Sequence, residues 1–345
     1  MYVTAGGNPG CEYPYDTEAK AATNLADAVL AAGEGTTVHL QAGTHYVTNK
    51  VLVASGIRFV GAGRAETVLR NPEGTVCTLF DLRNSAASVS AMTCCNAGAP
   101  IITIAVGGGT VEDVVISGAI DSSKTAGGAL YLQGGIVRRS IIRDNACGDL
   151  AQCPIYIKGG AAVLEDCLVT GNSSTATGDQ TAGAIHLAGG TVRNCTIVGN
   201  TSDHGSGGLV VVPVVSSLDY GAPLFATPVK NTILWGNSCA ENSTYDNWKT
   251  EYTYYSRFSH NYSNPAVGGG SGNIGSADDP GFVNAAKGDY RLQYGAPARN
   301  KGLYEDWMAA AVDLKGNPRS KNPVKGKVDI GCYETGRDGL MLMVR

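Results

Sequence analysis

The stretch "GGTVRNCTIVGNTS", residues 189–202, decides the fold class of this 345-residue chain. It holds a glycine pair, a short run in which apolar and polar residues alternate, and an asparagine where the run ends. Alternation with a period of two is typical of a β-strand. The same pattern recurs elsewhere, as "GGTVEDVVISGA" (108–119), "GGIVRRSIIRDNA" (134–146), "GGAAVLEDCLVTGNSS" (159–174) and "PVKNTILWGNS" (228–238).

The turn asparagines of four copies, Asn145, Asn172, Asn200 and Asn237, are spaced 27, 28 and 37 residues apart. A second strand-like run precedes the glycine pair in three copies: "GGALYLQGG" (127–135), "CPIYIKGG" (153–160) and "GAIHLAGG" (183–190). Several short strands in a repeat of 20 to 30 residues indicate a solenoid. We therefore predict an all-β parallel β-helix, in which every strand pairs with its copy in the next coil.

Strand alternation assigns each position to the core or to the outer surface. It predicts two inward columns, which comprise Val114, Ser140, Cys167, Cys195 and Thr232, and Ile116, Ile142, Val169, Ile197 and Leu234. The turn asparagines are predicted to form a side-chain ladder from coil to coil. One outward column, Asp113, Arg139, Asp166, Asn194 and Asn231, alternates in charge and is predicted to be a solvated face with ion pairs between coils.

The ten cysteines permit an oxidising compartment without requiring one. Cys167 and Cys195 are expected on adjacent coils, where parallel Cβ directions do not suit a relaxed disulfide, so we predict buried thiols. Cys147 and Cys153 flank a turn, and a local disulfide between them is plausible.

Composition excludes several classes of protein. The net charge is −4 and the sequence has no long basic run, so a nucleic-acid partner receives no electrostatic support. No apolar stretch has the length of a transmembrane helix. The five histidines lack the spacing of a metal site, and we predict no metal and no cofactor. No signal peptide is visible, and we expect a mature chain from which one has been removed.

The two ends carry a resemblance to a known family. "YVTAGGNPG", a predicted helix, "TTVHLQAGTHYV" and "IRFVGAG" resemble the opening of secreted bacterial right-handed β-helix proteins of the pectin-lyase-like superfamily. "DDPGFVNAAKGDYRLQYGAPARNKG", "DLKGNPR" and "VDIGCYE" resemble the C-terminal region of surface β-helix proteins of the choice-of-anchor or polymorphic-outer-membrane-like type, although Cys332 stands where those usually have a small residue. The resemblance implies a right-handed β-helix that is secreted or displayed at the cell surface.

These patterns predict one solenoid with two parts. Residues 1–277 form the β-helix, with a helical cap at about 16–33 and an aromatic insertion at about 242–263. Residues 278–345 form a C-terminal capping or anchor-type region. The last residues, "GLMLMVR", are a final strand or part of an attachment signal.

Candidate site residues lie where the copies differ. Tyr131, Tyr156 and His186 align as one outward column, and Gln133 and Lys158 lie in the next. The insertion adds Tyr245, Trp248, Tyr252, Tyr254 and Tyr255, which either pack the core or form a recognition platform. Aromatic rings with polar neighbours are typical of a sugar-binding strip, but an ordinary exposed strand face has the same composition.

Fold alone does not specify function. The leading hypothesis is a non-catalytic recognition or adhesin-like module that binds a polysaccharide or surface glycan. The alternative is a carbohydrate-active enzyme, a polysaccharide lyase or glycoside hydrolase, with Tyr156, Lys158 and His186 as acid and base and with Ca²⁺ as a possible cofactor. A structural spike or stalk is the third hypothesis.

Overall fold

The computed structural model describes residues 1–97, 100–121, 127–148, 153–212, 227–250, 257–268, 270–319 and 326–335. Within these ranges the chain is a right-handed parallel β-helix with three parallel sheets, as predicted. In the five coils that have a described strand in the short sheet C, the chain passes from sheet B to sheet A, then to sheet C, and back to sheet B. One coil has strands at Ile155–Ile157, Val163–Glu165, Leu168–Thr170 and Ser173–Ser174.

The strand bounds define the three sheets over the described residues. Sheet A contains Tyr2–Val3, Thr37–Leu40, Gly43–Tyr46, Arg58–Gly61, Thr67–Arg70, Ser88–Cys95, Thr110–Ser117, Ile136–Arg138, Ile141–Arg143, Val163–Glu165, Leu168–Thr170, Thr191–Arg193, Thr196–Val198, Val229–Lys230, Ile233–Trp235, Phe258–Ser259, Tyr262–Ser263 and Ile274–Gly275. Sheet B contains Val51–Val53, Phe80–Leu82, Ile102–Ile104, Leu130–Leu132, Ile155–Ile157, Ile185–Leu187, Leu209–Val211 and Trp248–Thr250. Sheet C contains Ile120–Asp121, Ala146–Cys147, Ser173–Ser174, Thr201–Ser202 and Ser238–Cys239.

The glycine pairs occur where successive coils approach each other closely. A Cβ atom on Gly159 would lie 1.7 Å from the carbonyl oxygen of Gln133 in the preceding coil. The equivalent Cβ on Gly189 would lie 2.3 Å from the carbonyl oxygen of Lys158. Glycine therefore recurs at this corner because a side chain would collide with the backbone of the neighbouring coil.

Both predicted inward columns are confirmed, since all ten of their residues are fully buried. The polar members have hydrogen-bond partners within the core. The Ser140 hydroxyl donates to the Arg138 carbonyl oxygen at 2.8 Å and accepts from the Val114 amide at 3.2 Å. The small first column and the branched second column thus fill a narrow core without leaving these polar groups unpaired.

The asparagine ladder is also confirmed. The side-chain amide of Asn145 donates to Oδ1 of Asn172 at 2.8 Å, and that of Asn172 donates to Asn200 at 2.9 Å. The ladder continues from Asn200 to Asn237 at 2.8 Å and ends on Asn247, at 2.9 Å from Asn237. Each amide also donates to backbone carbonyl oxygens, so the ladder joins the coils at the corner between sheets A and C.

The predicted solvated face at Asp113, Arg139, Asp166, Asn194 and Asn231 is wrong for the last three, whereas Asp113 and Arg139 are partly exposed and form ion pairs. These five residues adopt the left-handed conformation, with φ between 47° and 55°, and they bend the chain in the middle of the predicted strand. Asp and Asn adopt this conformation more readily than other non-glycine residues. Of the five, Asp166, Asn194 and Asn231 are buried, which the alternation of a continuous strand does not predict.

A second set of ion pairs between coils lies one position before this left-handed bend. Arg138 pairs with Glu112, and Arg193 pairs with Glu165 at 2.5 Å. The strand register places these residues directly opposite one another in adjacent coils. The predicted alternation of charge therefore exists, but on the neighbouring column.

The described part of the C-terminal region, 278–319 and 326–335, packs along the outer face of sheet A. Its apolar residues Phe282, Leu292 and Ile330 join one hydrophobic cluster with outward residues of the β-helix, which include Leu168, Val198, Ile233 and Tyr262. Two antiparallel pairs lie in this region, Phe282–Asn284 with Asp289–Leu292 and Gly302–Leu303 with Lys327–Val328. The region thus covers a side of the solenoid.

The N-terminal cap differs from the single helix that we predicted at 16–33. A 3₁₀ helix spans Glu18–Lys20, and a separate α-helix spans Leu25–Ala31. Thr17 caps the first and Asn24 caps the second, because each side-chain oxygen accepts a backbone N–H at the helix start. Further 3₁₀ helices span Ser243–Tyr245, Ala285–Lys287 and Asp306–Ala310.

The cysteines follow the prediction in one place and depart from it in another. Cys167 and Cys195 are buried thiols, as predicted, and each Sγ lies within hydrogen-bond distance of a carbonyl oxygen. Cys147 and Cys153 are also buried, but the structure does not join them in the predicted disulfide. They lie on opposite sides of residues 149–152, which are outside the described ranges.

Candidate functional site

The candidate site is the outward face of sheet B. The strand register aligns one column of side chains along this face, coil by coil. In order, the column contains Leu52, Asp81, Thr103, Tyr131, Tyr156, His186, Val210 and Lys249. The structure therefore brings the predicted residues Tyr131, Tyr156 and His186 together.

The three predicted aromatic residues form one continuous stack. The rings of Tyr131 and Tyr156 are 5.6 Å apart between centroids and inclined by 12°. The imidazole of His186 meets the Tyr156 ring edge-on, at 4.9 Å and 87°. Both tyrosines are half-buried, so the stack holds each ring in place while its edge remains open to solvent.

His186 supports this stack from a buried position. Only 4% of the residue is exposed, and its Nδ1 lies 3.0 Å from the Gln180 carbonyl oxygen. Burial lowers the pKa of His186 to about 4, against the raising effect of the hydrogen bond to Gln180. The ring is therefore neutral at physiological pH, and it lacks the access to solvent that an acid or base would need.

Tyr156 is not activated by its surroundings. Burial, and then the charges of Cys153 and Tyr131, raise the pKa of the Tyr156 phenol. A raised pKa keeps the hydroxyl protonated, as a hydrogen-bond donor. Gln133 is half-buried and Lys158 is exposed in the adjacent column, so both are beside the stack as predicted.

Two coils before Tyr131, Asp81 forms a charged cluster with Lys50 and Arg83. The buried Asp81 carboxylate accepts from Lys50 Nζ at 3.0 Å and from Arg83 Nη2 at 2.9 Å. Burial alone would raise the pKa of Asp81, but hydrogen bonds from Arg83 and Lys50 outweigh it and lower the pKa. The carboxylate remains ionised and holds two cations at the outer surface.

Thr103 lies between this cluster and Tyr131. Adjacent coils are about 4.8 Å apart, so the backbones at Asp81 and Tyr131 are separated by about 10 Å. The register places the short Thr103 side chain between Tyr131, in the following coil, and Asp81, in the preceding coil, whose carboxylate holds Lys50 and Arg83. We call this the Thr103 notch.

The repeat pattern did not predict Asp81, Lys50, Arg83 or Thr103 as site residues. The signal was present in "LFDLR" (79–83) and "IITIA" (101–105), which have the apolar alternation of the later sheet B strands. The coil after 79–83 lacks the glycine pair, and the coil after 101–105 has the pair but lacks the turn asparagine, so neither strand was aligned with the later copies.

The aromatic insertion is described only in part. Tyr245 is half-buried, and the Lys249 ammonium lies 4.9 Å from the centre of its ring. Trp248 packs on Phe258 with ring centroids 5.9 Å apart, and its indole N–H donates to the Pro265 carbonyl oxygen. Trp248 thus packs against the end of the core. Tyr252, Tyr254, Tyr255 and the terminal "GLMLMVR" lie outside the described residues.

Two further properties concern the described ranges alone. They contain no group of three or more His, Cys, Asp or Glu side chains positioned to hold a metal ion. They also contain no helix that is long and apolar enough to cross a membrane.

Comparisons with known proteins identify the fold. No protein-family model matches the chain, and no curated protein matches it. The structure is similar to pectate lyase Pel9A, with a TM-score of 0.51 and 12% identity over 97% of each chain. A pectin methylesterase of Erwinia chrysanthemi, PemA, aligns at a TM-score of 0.45 and 13% identity, over 85% of this chain and 92% of that one. At this level of identity, the likeness to Pel9A shows that the chain has the pectin-lyase-like parallel β-helix fold.

Proposed function

We propose that this protein is a non-catalytic recognition module, secreted or displayed at the cell surface, that binds an acidic polysaccharide along the outward face of sheet B. The observation that carries the proposal is the Thr103 notch, where the register places an aromatic ring one coil after Thr103 and a carboxylate that holds two cations one coil before it. Aromatic rings cover the apolar faces of sugars, and Lys and Arg bind their carboxylates.

Charge favours an acidic ligand over a neutral one. Lys50 and Arg83 share the single carboxylate of Asp81, so the cluster has an excess of one positive charge. The exposed Lys158 adds a further cation beside the tyrosine stack. A chain with regularly spaced carboxylates that lies along the helix axis would meet these cations in succession.

The state of the ionisable groups favours binding over catalysis. His186 is buried and neutral, Tyr156 has a raised pKa, and Asp81 is held by two cations. General acid and base groups need pKa values near the working pH and access to the proton that is transferred. None of these three side chains meets both conditions.

The lyase alternative rests on the position of Tyr156, whose hydroxyl lies on the same face as the exposed Lys158. The likeness to a pectate lyase is a likeness of fold, so it does not decide between the hypotheses. A stalk without a ligand would need neither the notch nor the paired cations, and the face of sheet B therefore favours a binding protein.

Titration calorimetry with polygalacturonate and with an uncharged galactan tests the proposal. We expect binding of the acidic polymer alone, weakened about tenfold by Tyr131→Ala, which corresponds to about 1.4 kcal/mol. Arg83→Gln should weaken binding and flatten its dependence on salt. Tyr46→Ala and Arg58→Gln, at exposed positions on sheet A, are the matched controls.

An ultraviolet assay for unsaturated uronate on the same polymers separates the hypotheses. Binding without product supports the proposal. Product that disappears in Tyr156→Phe would establish the lyase instead. Absence of binding to any acidic polymer would overturn the proposal.

A further inference from the structure

A second concave site lies in the C-terminal region, separate from the face of sheet B. It is a pocket of about 500 Å³, within the size range of small-ligand sites. Its lining includes Arg291, Tyr294, Arg299, Lys315, Asn317 and Tyr333. None of these residues takes part in the function proposed above.

The two carboxylates beside the pocket are occupied by internal hydrogen bonds. Asp313 is fully buried, and its oxygens accept from the backbone amides of Lys315, Asn317 and Glu334 at 2.7–2.8 Å. The Glu334 carboxylate binds the buried guanidinium of Arg319 at 3.1 Å. Neither carboxylate is therefore directed at a ligand, and the polar groups that line the pocket are mainly donors.

The cations of the pocket are held in different ways. Arg299 is nearly buried, and its Nε donates to the Thr335 hydroxyl at 2.7 Å. Arg291 is paired with Asp289 at the rim, at 2.5 Å. Lys315 is exposed and has no ion-pair partner within the described ranges. An anionic ligand would thus meet one fixed guanidinium and one ammonium that has not been neutralised.

An aromatic ring completes the pocket. Tyr294 is 81% exposed, yet its ring is held in position by the Arg299 guanidinium, 5.1 Å from the ring centroid. Burial raises the pKa of Tyr333, so its phenol stays protonated as a donor. Exposure of a large ring that a buried arginine holds in place is a feature that the packing of the tail does not require.

We infer that this pocket binds a single carboxylate-bearing sugar residue. The carboxylate would lie against Lys315 and Arg299, and the ring would stack on Tyr294. A sugar hydroxyl would accept a hydrogen bond from Tyr333, and another would donate to Oδ1 of Asn317, whose amide N–H groups are donated to Asp313 and Glu334. The pocket combines a flat aromatic ring, two cations and neutral hydrogen-bonding groups, and an acidic sugar needs all three. A simple anion would use the cations alone. The inference does not depend on the proposed function of sheet B.

NMR titration of the full chain with glucuronate and galacturonate tests the inference. We expect saturable shifts of the Tyr294 and Asn317 signals, with a Kd on the order of 1 mM for one sugar residue. Methyl glucoside, which lacks the carboxylate, and inorganic sulfate, which lacks the ring, should each bind at least about tenfold more weakly. Binding of sulfate or of methyl glucoside as tightly as glucuronate would overturn the inference.

Variants at exposed positions should fold normally, so that any loss of binding can be assigned to the pocket. Tyr294→Ala and Lys315→Gln should each weaken glucuronate binding about tenfold, whereas Lys287→Gln and Tyr46→Ala should not change it. Unchanged binding in both pocket variants would contradict the assignment. Tyr131→Ala should leave the pocket unaffected, so that failure of the sheet B proposal and failure of this one remain distinguishable.

Discussion

Arg319 and Asp166 are 153 residues apart in the chain, yet Nε of Arg319 donates to Oδ1 of Asp166 at 2.7 Å. A second contact, from Nη2 to the same oxygen, measures 2.6 Å. Both side chains are buried, and Nη1 of Arg319 also contacts Glu334 at 3.1 Å. This ion pair fastens the C-terminal region to the left-handed bend of the β-helix.

The ion pair makes stability depend on pH in a definite direction. Burial raises the pKa of Asp166 to about 6, although Arg319 acts to lower it. The folded protein therefore keeps this proton to a higher pH than the unfolded chain, where the ordinary pKa is 3.8. The stability that this proton contributes to the folded state is fully present below a pH of about 4, and it is lost as the pH rises through about 6.

Asp166→Asn should abolish that dependence between pH 4 and 6, as measured by urea unfolding. At neutral pH it should not lower the free energy of unfolding, because the amide is isosteric with the protonated carboxyl group that this buried site favours. Asp203→Asn, at an exposed position, is the control. An unchanged pH profile in Asp166→Asn would show that another group titrates in this range.

His186 should affect acid stability in the opposite direction. Burial lowers its pKa from 6.5 to about 4. As the pH falls, the unfolded chain therefore binds this proton at a higher pH than the folded protein does. Stability from His186 is present above pH of about 6.5 and is lost as the pH falls through about 4. His186→Gln should reduce this acid sensitivity in unfolding curves, with the exposed His39→Gln as the control. NMR titration of the His186 ring with a midpoint near 6.5 would contradict the buried geometry.

A substitution at the centre of the asparagine ladder should lower the stability of the fold. Asn172 donates to Asn200 and accepts from both the side chain and the backbone amide of Asn145. Asn172→Ala would leave several buried groups unpaired and should cost about 2–5 kcal/mol, measured by thermal or urea unfolding. Asn49→Ala, at an exposed position, should change stability by less than about 0.5 kcal/mol. Equal effects of the two substitutions would show that the ladder does not stabilise the fold.

Removal of residues 278–345 should expose an apolar stripe. Leu168, Val198 and Ile233 face outward on sheet A and are covered only because the C-terminal region packs on them. We expect the truncated chain to bind a hydrophobic dye and to aggregate. The truncated chain with Leu168→Thr, Val198→Thr and Ile233→Thr should be more soluble. A truncated chain that is soluble without these changes would contradict this account.

The thiols should differ in reactivity according to burial. Burial, together with Cys195, raises the pKa of Cys167, and Cys11 is exposed. Mass spectrometry after brief alkylation of the native protein should find Cys11 modified and Cys167 intact, whereas denaturant should make both reactive. Rapid alkylation of Cys167 in the native protein would mean that the core opens on that timescale.

Sequence reasoning predicted the parts of the fold that depend on strand alternation. The columns through Cys195 and Ile197 and the ladder at Asn200 follow from repetition and periodicity alone. The bend at Asn194 was missed because a left-handed residue within a strand does not disturb the spacing of its neighbours. The sequence did contain a sign of this error, since Val198, Ile233 and Trp235 are apolar although they lie at outward positions.

The candidate site was predicted in part for a similar reason. Tyr131, Tyr156 and His186 were found because they lie next to glycine pairs that anchor the alignment. The burial of His186 was not predictable, since it depends on a carbonyl group from Gln180 in the loop that covers it. The pocket around Tyr294 depends on contacts between distant tail segments, which no local pattern encodes.

The left-handed bend and the ladder asparagine are six residues apart in each of four coils, at Arg139 and Asn145, Asp166 and Asn172, Asn194 and Asn200, and Asn231 and Asn237. Differences in coil length therefore fall outside this interval. An added residue inside it would misalign two corners at once, whereas the remaining corners tolerate extra chain. The solenoid thus has a constant edge and a variable edge, and new loops can be grafted onto the variable edge without changing the stacking of the coils.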